Sequence, residues 1–177
     1  AALLKKLEAS GPASGTALST ETAPDYAYTR VLLVDDNDLN LQIAEELMKP
    51  YGMQVDCVHS GQEAVDAVKK ERYDLVFMDH MMPGMDGMEA LKKIRALPDK
   101  NCCSIPVVVL TANASGSAQA MYLAEGFSDF LAKPIMLQKL SEILKKWLAP
   151  VDEKRRREYR NRRNQKADGG QDEKPGK

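Results

Sequence analysis

Side chains that bind metals or phosphate follow four of the five short apolar runs in this sequence. They are Asp35 and Asp36 after the first run, Asp79 after the third, Thr111 after the fourth and Lys133 after the fifth. An ionised carboxylate at the end of a buried strand is costly unless it is paired or binds a metal. Carboxylate oxygens gathered at one point suit Mg²⁺. The pattern therefore predicts a centre for metal-assisted phosphoryl transfer, provided that the runs are neighbouring strands.

The residue types also indicate a division of roles at such a centre. Asp79 could attack phosphorus and form an aspartyl phosphate. The Lys133 ammonium could neutralise one phosphate oxygen, and the Thr111 hydroxyl could hydrogen-bond to another. Taken singly, each residue is more typical of a helix cap, a turn or a solvated surface. The prediction depends on their joint occurrence at the ends of several strands.

Alternating apolar and amphipathic segments predict how the chain positions these residues. The apolar runs are Val31–Val34, Met53–Val58, Leu75–Met78, Val107–Leu110 and Phe130–Leu131. The stretches between them predict helices that begin near Asp38, Ser60, Asp86, Ser115 and Ile135, with Asp38 and Ser60 as N-caps. This alternation predicts an α/β fold, a parallel sheet with helices on both faces. Functional side chains of such sheets gather at the carboxyl ends of the strands.

Composition divides the chain into three parts. Residues 1–29 contain a segment rich in Ser, Thr, Gly, Ala and Pro at 10–24, which predicts a flexible linker. Residues 30–149 hold all the apolar runs and predict one folded domain. Residues 150–177 have few apolar side chains, which predicts a basic and mostly disordered tail. Residues 154–166 carry eight Lys or Arg and one acid, so contact of this tail with nucleic acid or an anionic membrane is a second, weaker prediction.

The overall composition excludes several other classes of protein. A net charge of −1 over 177 residues gives no general attraction to nucleic acid or membranes. No apolar run approaches the roughly 20 residues of a transmembrane helix, and the first 30 residues lack the apolar core of a secretory signal. The three cysteines, Cys57, Cys102 and Cys103, show no metal-ligand spacing and favour reduced thiols. These features predict a cytoplasmic location.

Four motifs resemble the receiver domain of two-component response regulators. They are VLLVDDN at Val31–Asn37, VFMDHMMPGMDG at Val76–Gly87, VVVLTAN at Val107–Asn113 and GFSDFLAKPI at Gly126–Ile135. The resemblance covers about Arg30 to Ala149. It implies a single doubly wound (βα)5 domain with a flavodoxin-like parallel sheet of strand order 2-1-3-4-5. It also implies a signalling domain that catalyses its own phosphorylation and dephosphorylation, rather than an enzyme in the usual sense.

The resemblance assigns a role to each acidic residue of the candidate site. Asp79 matches the phosphoryl acceptor of receivers. Asp35 and Asp36 match the acidic pair that organises Mg²⁺, with Asp36 as the more direct ligand. Asp79 and the backbone carbonyl of Met81 would complete the protein ligands of the metal.

The same resemblance implies how the phosphoryl group is sensed. Thr111 matches the switch hydroxyl, and Lys133 matches the lysine that binds phosphate. Phe130 lies where receivers carry a switch aromatic, which is expected to turn inward on phosphorylation. The Lys133–Pro134 peptide bond is expected to be cis, an isomer found in about 5–6% of X–Pro bonds.

A receiver also implies particular partners. The donor would be a phosphohistidine on a histidine kinase or on a histidine phosphotransfer domain. Phosphorylation would change the face formed by the fourth helix, fifth strand and fifth helix, through which a homodimer is expected. The pattern DDNxxN at Asp35–Asn40 resembles receivers attached to hybrid sensor kinases. In a hybrid kinase the domain would lie on the cytoplasmic side of the membrane.

The alternative is a phosphohydrolase of the haloacid-dehalogenase type. That class also uses a strand-end aspartate, and Asp36-Asn37-Asp38 supplies its DxD pattern. The order of the acids argues against it, because its nucleophile comes first and here the acidic pair precedes Asp79. Steady turnover of a phosphate ester would distinguish the two classes.

Overall fold

The computed structural model describes residues 24–168, and its centre is one five-stranded parallel sheet of order 2-1-3-4-5. The strands are β1 Arg30–Val34, β2 Gln54–Val58, β3 Leu75–Asp79, β4 Val107–Thr111 and β5 Asp129–Ala132. This architecture confirms the predicted α/β fold and its strand order. Each predicted apolar run forms or overlaps one strand.

Burial distinguishes the central strands from the edges of the sheet. Every residue of β3 and β4 is buried, and so are the last four residues of β1, as continuous apolar runs covered on both faces require. Strand β2 lies at an edge and is only partly buried. The parallel register places Asp79 opposite Leu110 and Thr111 opposite Ala132. The carboxyl ends of β1, β3, β4 and β5 therefore share one edge of the sheet.

Helices cover both faces of this sheet. They are α1 Asp38–Met48, α2 Gly61–Lys70, α3 Gly87–Arg95, α4 Lys100–Cys103, α5 Gly116–Ala124 and α6 Leu137–Asp168, with a 3₁₀ turn at Lys49–Tyr51. Helices α2, α3 and α5 contribute buried apolar residues to one core, and α1 and α6 contribute to the other. The short helix α4 was not predicted. The predicted fourth and fifth helices correspond to α5 and α6.

The helix starts show which local signals determine the boundaries. Ser60 and Asp86 accept hydrogen bonds from backbone N–H groups of the first turns of α2 and α3, as N-caps do. The prediction that Asp38 caps α1 is wrong. Asn37 is the cap, because its side-chain oxygen accepts from the N–H groups of Leu39 and Asn40, and Asp38 is the first helical residue.

The last helix corrects the prediction of a disordered tail at residues 150–177. Helix α6 continues through Pro150 to Asp168, although a proline inside a helix removes one backbone hydrogen bond. Residues 169–177 lie outside the described part of the chain. Among residues 24–168, no helix combines the length and the apolar character needed to cross a membrane.

One ion pair and hydrogen bonds to the backbone before β1 anchor the extended part of α6 to the domain. Arg155 donates from both terminal nitrogens to the carboxylate of Asp74, each at 2.7 Å, and also to the Tyr28 carbonyl at 2.7 Å. Asp152 is buried, accepts from the Tyr28 N–H at 3.3 Å, and pairs with Arg156 at 2.8 Å. A bidentate arginine–carboxylate pair with a buried acid is among the stronger side-chain contacts. These contacts between distant parts of the sequence stabilise a segment whose composition alone indicates disorder.

The segment before β1 is also docked, which corrects part of the predicted linker at residues 1–29. Tyr26 is buried, its N–H donates to the Tyr51 carbonyl at 2.7 Å, and the two rings stack at 6.1 Å. Thr29 is buried as well. The predicted linker at 10–24 lies almost entirely outside the described residues.

We expect Arg155→Met to lower the free energy of unfolding by about 1–3 kcal/mol, because Asp74 would lose the bidentate partner of a buried carboxylate. Arg157→Met is the matched control on the same helix. Arg157 pairs with Glu153, both exposed, so its loss should change stability by about 0.5 kcal/mol or less. Urea denaturation measures both effects. Equal effects of the two substitutions would show that α6 is not anchored through Arg155.

Candidate functional site

Three carboxylates meet at the carboxyl edge of the sheet. Asp35 directly follows β1 and Asp79 ends β3, and these two strands are neighbours in the sheet. One oxygen from each of Asp35, Asp36 and Asp79 lies within 4.8 Å of the other two. Asp35 and Asp79 are only 2% and 6% exposed, whereas Asp36 is exposed. The structure thus brings together the acidic residues that the sequence predicted to cluster.

Hydrogen bonds hold the Asp35 carboxylate in place. Its Oδ1 accepts from the N–H of Asn37 at 2.9 Å and from the side-chain amide of Asn40 at 3.1 Å. Its Oδ2 accepts from the same amide at 3.2 Å and from Lys133 at 2.6 Å. Sequence analysis assigned no such role to Asn40. The first turn of α1, which Asn37 caps, therefore orients the carboxylate on the preceding strand.

Lys133 connects the two buried acids. Its Nζ lies 2.6 Å from Asp35 Oδ2 and 2.9 Å from Asp79 Oδ1. Burial lowers the pKa of Lys133, but the hydrogen bonds with both carboxylates outweigh burial and raise the pKa above its ordinary value. The ammonium group is therefore charged near neutral pH. The Lys133–Pro134 bond is cis, as predicted.

Asp79 carries a charge that its surroundings balance only in part. Burial raises the pKa of Asp79, and the negative charge of Asp35 adds to that effect, while Lys133 and the Met81 N–H lower it without cancelling it. The net result is a pKa above the usual range for an aspartate. A divalent cation would remove this imbalance, because it would lie among three carboxylates served by one lysine. The all-oxygen donor set therefore fits Mg²⁺.

The loop after Asp79 leaves little space beside this residue. A Cβ on Gly87 would lie 2.3 Å from the Asp79 carbonyl oxygen, so only glycine lets α3 begin this close to β3. Gly84 has φ +74°, a left-handed conformation that glycine adopts without strain. The Met81 side chain is exposed. The role of the Met81 carbonyl as a metal ligand stays a prediction.

The two predicted switch residues lie in different surroundings. Thr111 is buried at the end of β4. Its hydroxyl lies 2.8 Å from the Tyr122 hydroxyl and 3.2 Å from the Asn113 carbonyl. Phe130 is half-buried in β5 and packs against the core that contains α2, α3 and α5.

Sequence analysis missed Tyr122. This tyrosine lies in the helix after Thr111, a segment that had been interpreted only as Ala-rich and weakly amphipathic. The available signal was the phenol itself, since a buried tyrosine hydroxyl usually has a hydrogen-bond partner. His80, which directly follows Asp79, is the second partner of the Tyr122 hydroxyl, with Nδ1 at 3.3 Å.

Comparison with known proteins identifies the class to which this fold and site belong. Residues 31–145 match the family model described as the response regulator receiver domain. The chain therefore belongs to the receiver domain family. This membership excludes the haloacid-dehalogenase alternative, which was wrong.

Individual relatives agree with this assignment. The chain is 44% identical over 119 residues to the sensor protein GacS of Pseudomonas syringae pv. syringae, an alignment that covers 67% of this chain and 13% of GacS. It is 43% identical over 124 residues to hybrid signal transduction histidine kinase B of Dictyostelium discoideum, covering 65% and 6% respectively. The chain thus spans only a small fraction of the length of these relatives.

Solved structures show the same fold. The receiver domain of sensor histidine kinase PA1611 from Pseudomonas aeruginosa PAO1 is 36% identical with a TM-score of 0.61, covering 68% of this chain and 97% of that one. That structure has a magnesium ion coordinated in the active site cleft. A chain from the co-crystal of Saccharomyces cerevisiae Ypd1, a histidine phosphotransfer protein, with the Ssk1 receiver domain is 30% identical with a TM-score of 0.63. That match covers 71% of this chain and 90% of that chain.

Without divalent cations, we expect Asp79→Asn to raise the free energy of unfolding at pH 7 by on the order of 1 kcal/mol, because it removes a buried charge. The raised pKa of Asp79 means that the folded state keeps this proton to higher pH than the unfolded state. Stability of the wild type therefore falls as pH rises from the ordinary carboxyl range through the raised pKa. The extra stability of Asp79→Asn should disappear at pH values below the ordinary carboxyl range, where Asp79 is protonated in both states. Urea denaturation in chelator at several pH values measures it, and a pH-independent difference would contradict the assignment.

Magnesium should make the wild type more stable than Asp79→Asn. A ligand that binds only the folded state raises its stability, so added Mg²⁺ should stabilise the wild type. Asp79→Asn should respond much less. Asp66→Asn, which changes an exposed carboxylate on α2, should respond like the wild type. Thermal shifts in a Mg²⁺ titration compare the three proteins, and an equal response of Asp79→Asn would argue against a metal site at Asp79.

Proposed function

We propose that this chain is a phosphorelay module that accepts a phosphoryl group on Asp79. The donor would be a phosphohistidine on a histidine kinase or a histidine phosphotransfer domain. The observation that carries the proposal is the contact of Lys133 with both Asp35 and Asp79 beside the third carboxylate, Asp36. Membership of the receiver family supports it, and so does the co-crystal structure in which Ypd1, a histidine phosphotransfer protein, is paired with the related receiver domain of Ssk1.

The transfer follows from the geometry of the acceptor. Lys133 contacts Oδ1 of Asp79, and the second carboxylate oxygen attacks phosphorus. The new O–P bond forms as the P–N bond to the donor histidine breaks, and the released histidine nitrogen keeps the electron pair and takes up a proton. Lys133 then neutralises a phosphoryl oxygen. Attack of water on phosphorus later breaks the O–P bond, releases inorganic phosphate and returns Asp79 to its free carboxylate, and we propose that the domain catalyses this dephosphorylation too.

A metal ion would complete the charge balance of this step. The residues that would hold Mg²⁺ are Asp36, Asp79 and the backbone carbonyl of Met81, with Asp35 beside them. When bound, Mg²⁺ would supply positive charge to the phosphoryl oxygens. Hydrogen bonds from Asn37, Asn40 and Lys133 orient Asp35, which supports this proposal.

An apolar rim beside the site offers a surface for the donor. Leu39 and Ile43 on α1 and Met136 and Leu137 at the start of α6 are all exposed. Between the two elements lies a cavity of about 100 Å³ whose walls include Ile43. Exposed apolar side chains grouped around a reactive centre are typical of a protein interface. We infer that the phosphohistidine domain docks on this rim, which brings its imidazole to Asp79.

The output would come from the face formed by α5, β5 and α6. Recruitment of Thr111 to the phosphoryl group and inward movement of Phe130 would change this face. Met121 and Leu123 on α5 are exposed, so the face offers apolar area for a homodimer. Sedimentation of the protein with and without beryllofluoride tests that pairing, and a monomer under both conditions would contradict it.

The surrounding protein is inferred from the relatives. Sensor and hybrid histidine kinases among them favour a receiver that belongs to a hybrid sensor kinase, placed on the cytoplasmic side of the membrane. Contact of the basic segment with nucleic acid or membrane has less support, because Arg155 and Arg156 already pair with Asp74 and Asp152.

Acetyl phosphate with Mg²⁺ should label the wild type, and Asp79→Ala should abolish the labelling because the attacking carboxylate is lost. Asp66→Ala is the control and should label like the wild type, since the exposed side chain of Asp66 on α2 contacts Gln62 and Lys69 of the same helix. Labelling is followed by phosphate-affinity electrophoresis or intact mass. Undiminished labelling of Asp79→Ala would refute the assignment of the acceptor.

We expect Ile43→Asn to slow phosphotransfer from a phosphorylated histidine phosphotransfer protein by about tenfold, since an interface hot spot is worth more than about 1 kcal/mol. Labelling by acetyl phosphate should not change, because that donor needs no protein surface. Leu123→Asn is a matched control, as Leu123 is 50% exposed and Ile43 is 49% exposed. Similar transfer rates for the two variants would place the donor elsewhere.

A further inference from the structure

The switch hydroxyl of Thr111 is held by a buried tyrosine in α5. We propose that Tyr122 is a positioning residue, whose hydroxyl holds Thr111 in its resting place and thereby sets how readily phosphorylation switches the domain. The inference rests on the proposed function, in which Thr111 must bind the phosphoryl group. It goes beyond that function because it assigns the control of switching to a residue outside those that contact phosphate.

The Thr111 hydroxyl already uses its whole hydrogen-bonding capacity. A hydroxyl has one proton to donate and two lone pairs to accept with. The Thr111 oxygen lies 2.8 Å from the Tyr122 hydroxyl, 3.2 Å from the Asn113 carbonyl and 3.1 Å from the Asn113 N–H, which donates to it. Among residues 24–168, the hydrogen bonds of this side chain go to Tyr122 and Asn113 and none goes to Asp79. Thr111 must therefore give up an existing bond before it can donate to a phosphoryl oxygen.

Tyr122 is fixed far more firmly than a surface residue would be. Its side chain is 2% exposed and lies edge-on to Phe127, with ring centroids 6.0 Å apart. The ring of His80 lies 5.1 Å away on another side, and its Nδ1 is 3.3 Å from the Tyr122 hydroxyl. The phenol thus has a second partner and a packed ring. It cannot follow Thr111 toward the acceptor without disturbing α5.

The position of Tyr122 makes this contact relevant to signalling. His80 directly follows Asp79, and its N–H donates to the Leu110 carbonyl on the strand that ends at Thr111. Tyr122 therefore connects the ends of β3 and β4 to α5, part of the proposed output face. Phe130, at the expected switch position in β5, has no hydroxyl and cannot make such a bond. The hydrogen bond between Thr111 and Tyr122 thus favours the resting state and couples release of Thr111 to α5.

The test is the affinity for beryllofluoride, a phosphoryl mimic, in Mg²⁺ buffer. Tyr122→Phe keeps the packed ring and removes the hydroxyl, so it should lower the dissociation constant by about 2- to 10-fold, the effect of one neutral hydrogen bond that favours the resting state. Tyr73→Phe is the matched control. It removes a hydroxyl bonded to Asp56 at 2.7 Å, away from the site, and should leave the affinity unchanged. An unchanged or weakened affinity of Tyr122→Phe would overturn the proposal.

A double-mutant cycle distinguishes two explanations of a higher beryllofluoride affinity. Either Tyr122→Phe releases the Thr111 hydroxyl, or it destabilises α5 without involving Thr111. The gain from Tyr122→Phe should vanish in the background of Thr111→Val, since the bond is then already missing. The same gain in both backgrounds would overturn the proposal, because Tyr122 would then act without Thr111.

A measurement on the unmodified protein covers the case in which Tyr122→Phe does not fold. With ¹³C-labelled tyrosine, the Cζ resonance of Tyr122 should shift on addition of beryllofluoride as Thr111 leaves it, and that of Tyr73 should not. An unchanged chemical shift of Tyr122 Cζ at saturating beryllofluoride would refute the proposal that Tyr122 holds Thr111 in its resting place.

Failure of the proposed function gives a different result. The wild type would then bind no beryllofluoride, whatever residue 122 is. In that case the contact between Thr111 and Tyr122 is tested in the protein without ligand. Loss of the Tyr122 hydroxyl in Tyr122→Phe should shift the Asn113 amide resonance relative to the wild type. An unshifted resonance would overturn the contact itself.

Discussion

The contact of one ammonium group with two buried carboxylates is the interaction on which the rest of this structure depends. Asp35 and Asp79 end adjacent strands, where burial and mutual repulsion both oppose their charges. Lys133 directly follows β5, and β4 lies between β5 and β3, so the lysine side chain reaches past the end of β4 to contact both acids. Only a parallel sheet, with all its carboxyl ends at one edge, brings these groups together.

Much of this arrangement could be predicted from the sequence because local patterns and the global fold agree. The central strands are continuously apolar since both faces are covered, and Ser60 marks a helix start through its own hydrogen bond. Once the strands are known, topology alone places Asp35, Asp36, Asp79, Thr111 and Lys133 at one edge. The motifs then added the strand order and the cis bond at Lys133–Pro134.

The features that escaped prediction depend on contacts between residues far apart in the chain. The continuation of α6 requires Asp74, which lies 81 residues before Arg155, so the composition of the segment contains no sign of it. Tyr26 is buried in a core that includes Tyr51, 25 residues later, with which its ring stacks. The contacts of the Tyr122 hydroxyl likewise include His80, 42 residues earlier. Periodicity describes which face of a helix is covered but does not identify the partner of a single polar group.

The anchoring of α6 has a consequence for how the domain fits into a longer chain. Arg156 donates to the Asp25 carbonyl at 2.9 Å, and Arg155 to the Tyr28 carbonyl, so the segment entering the sheet and the helix leaving it lie side by side. Both are beside the residues that precede β1 and β3, at the edge of the sheet opposite the acidic cluster. A longer chain would therefore enter the domain beside α6, which continues for 13 residues past Arg155, or about 20 Å of helix, to Asp168. The acidic cluster lies at the opposite edge of the sheet and faces away from this point of entry.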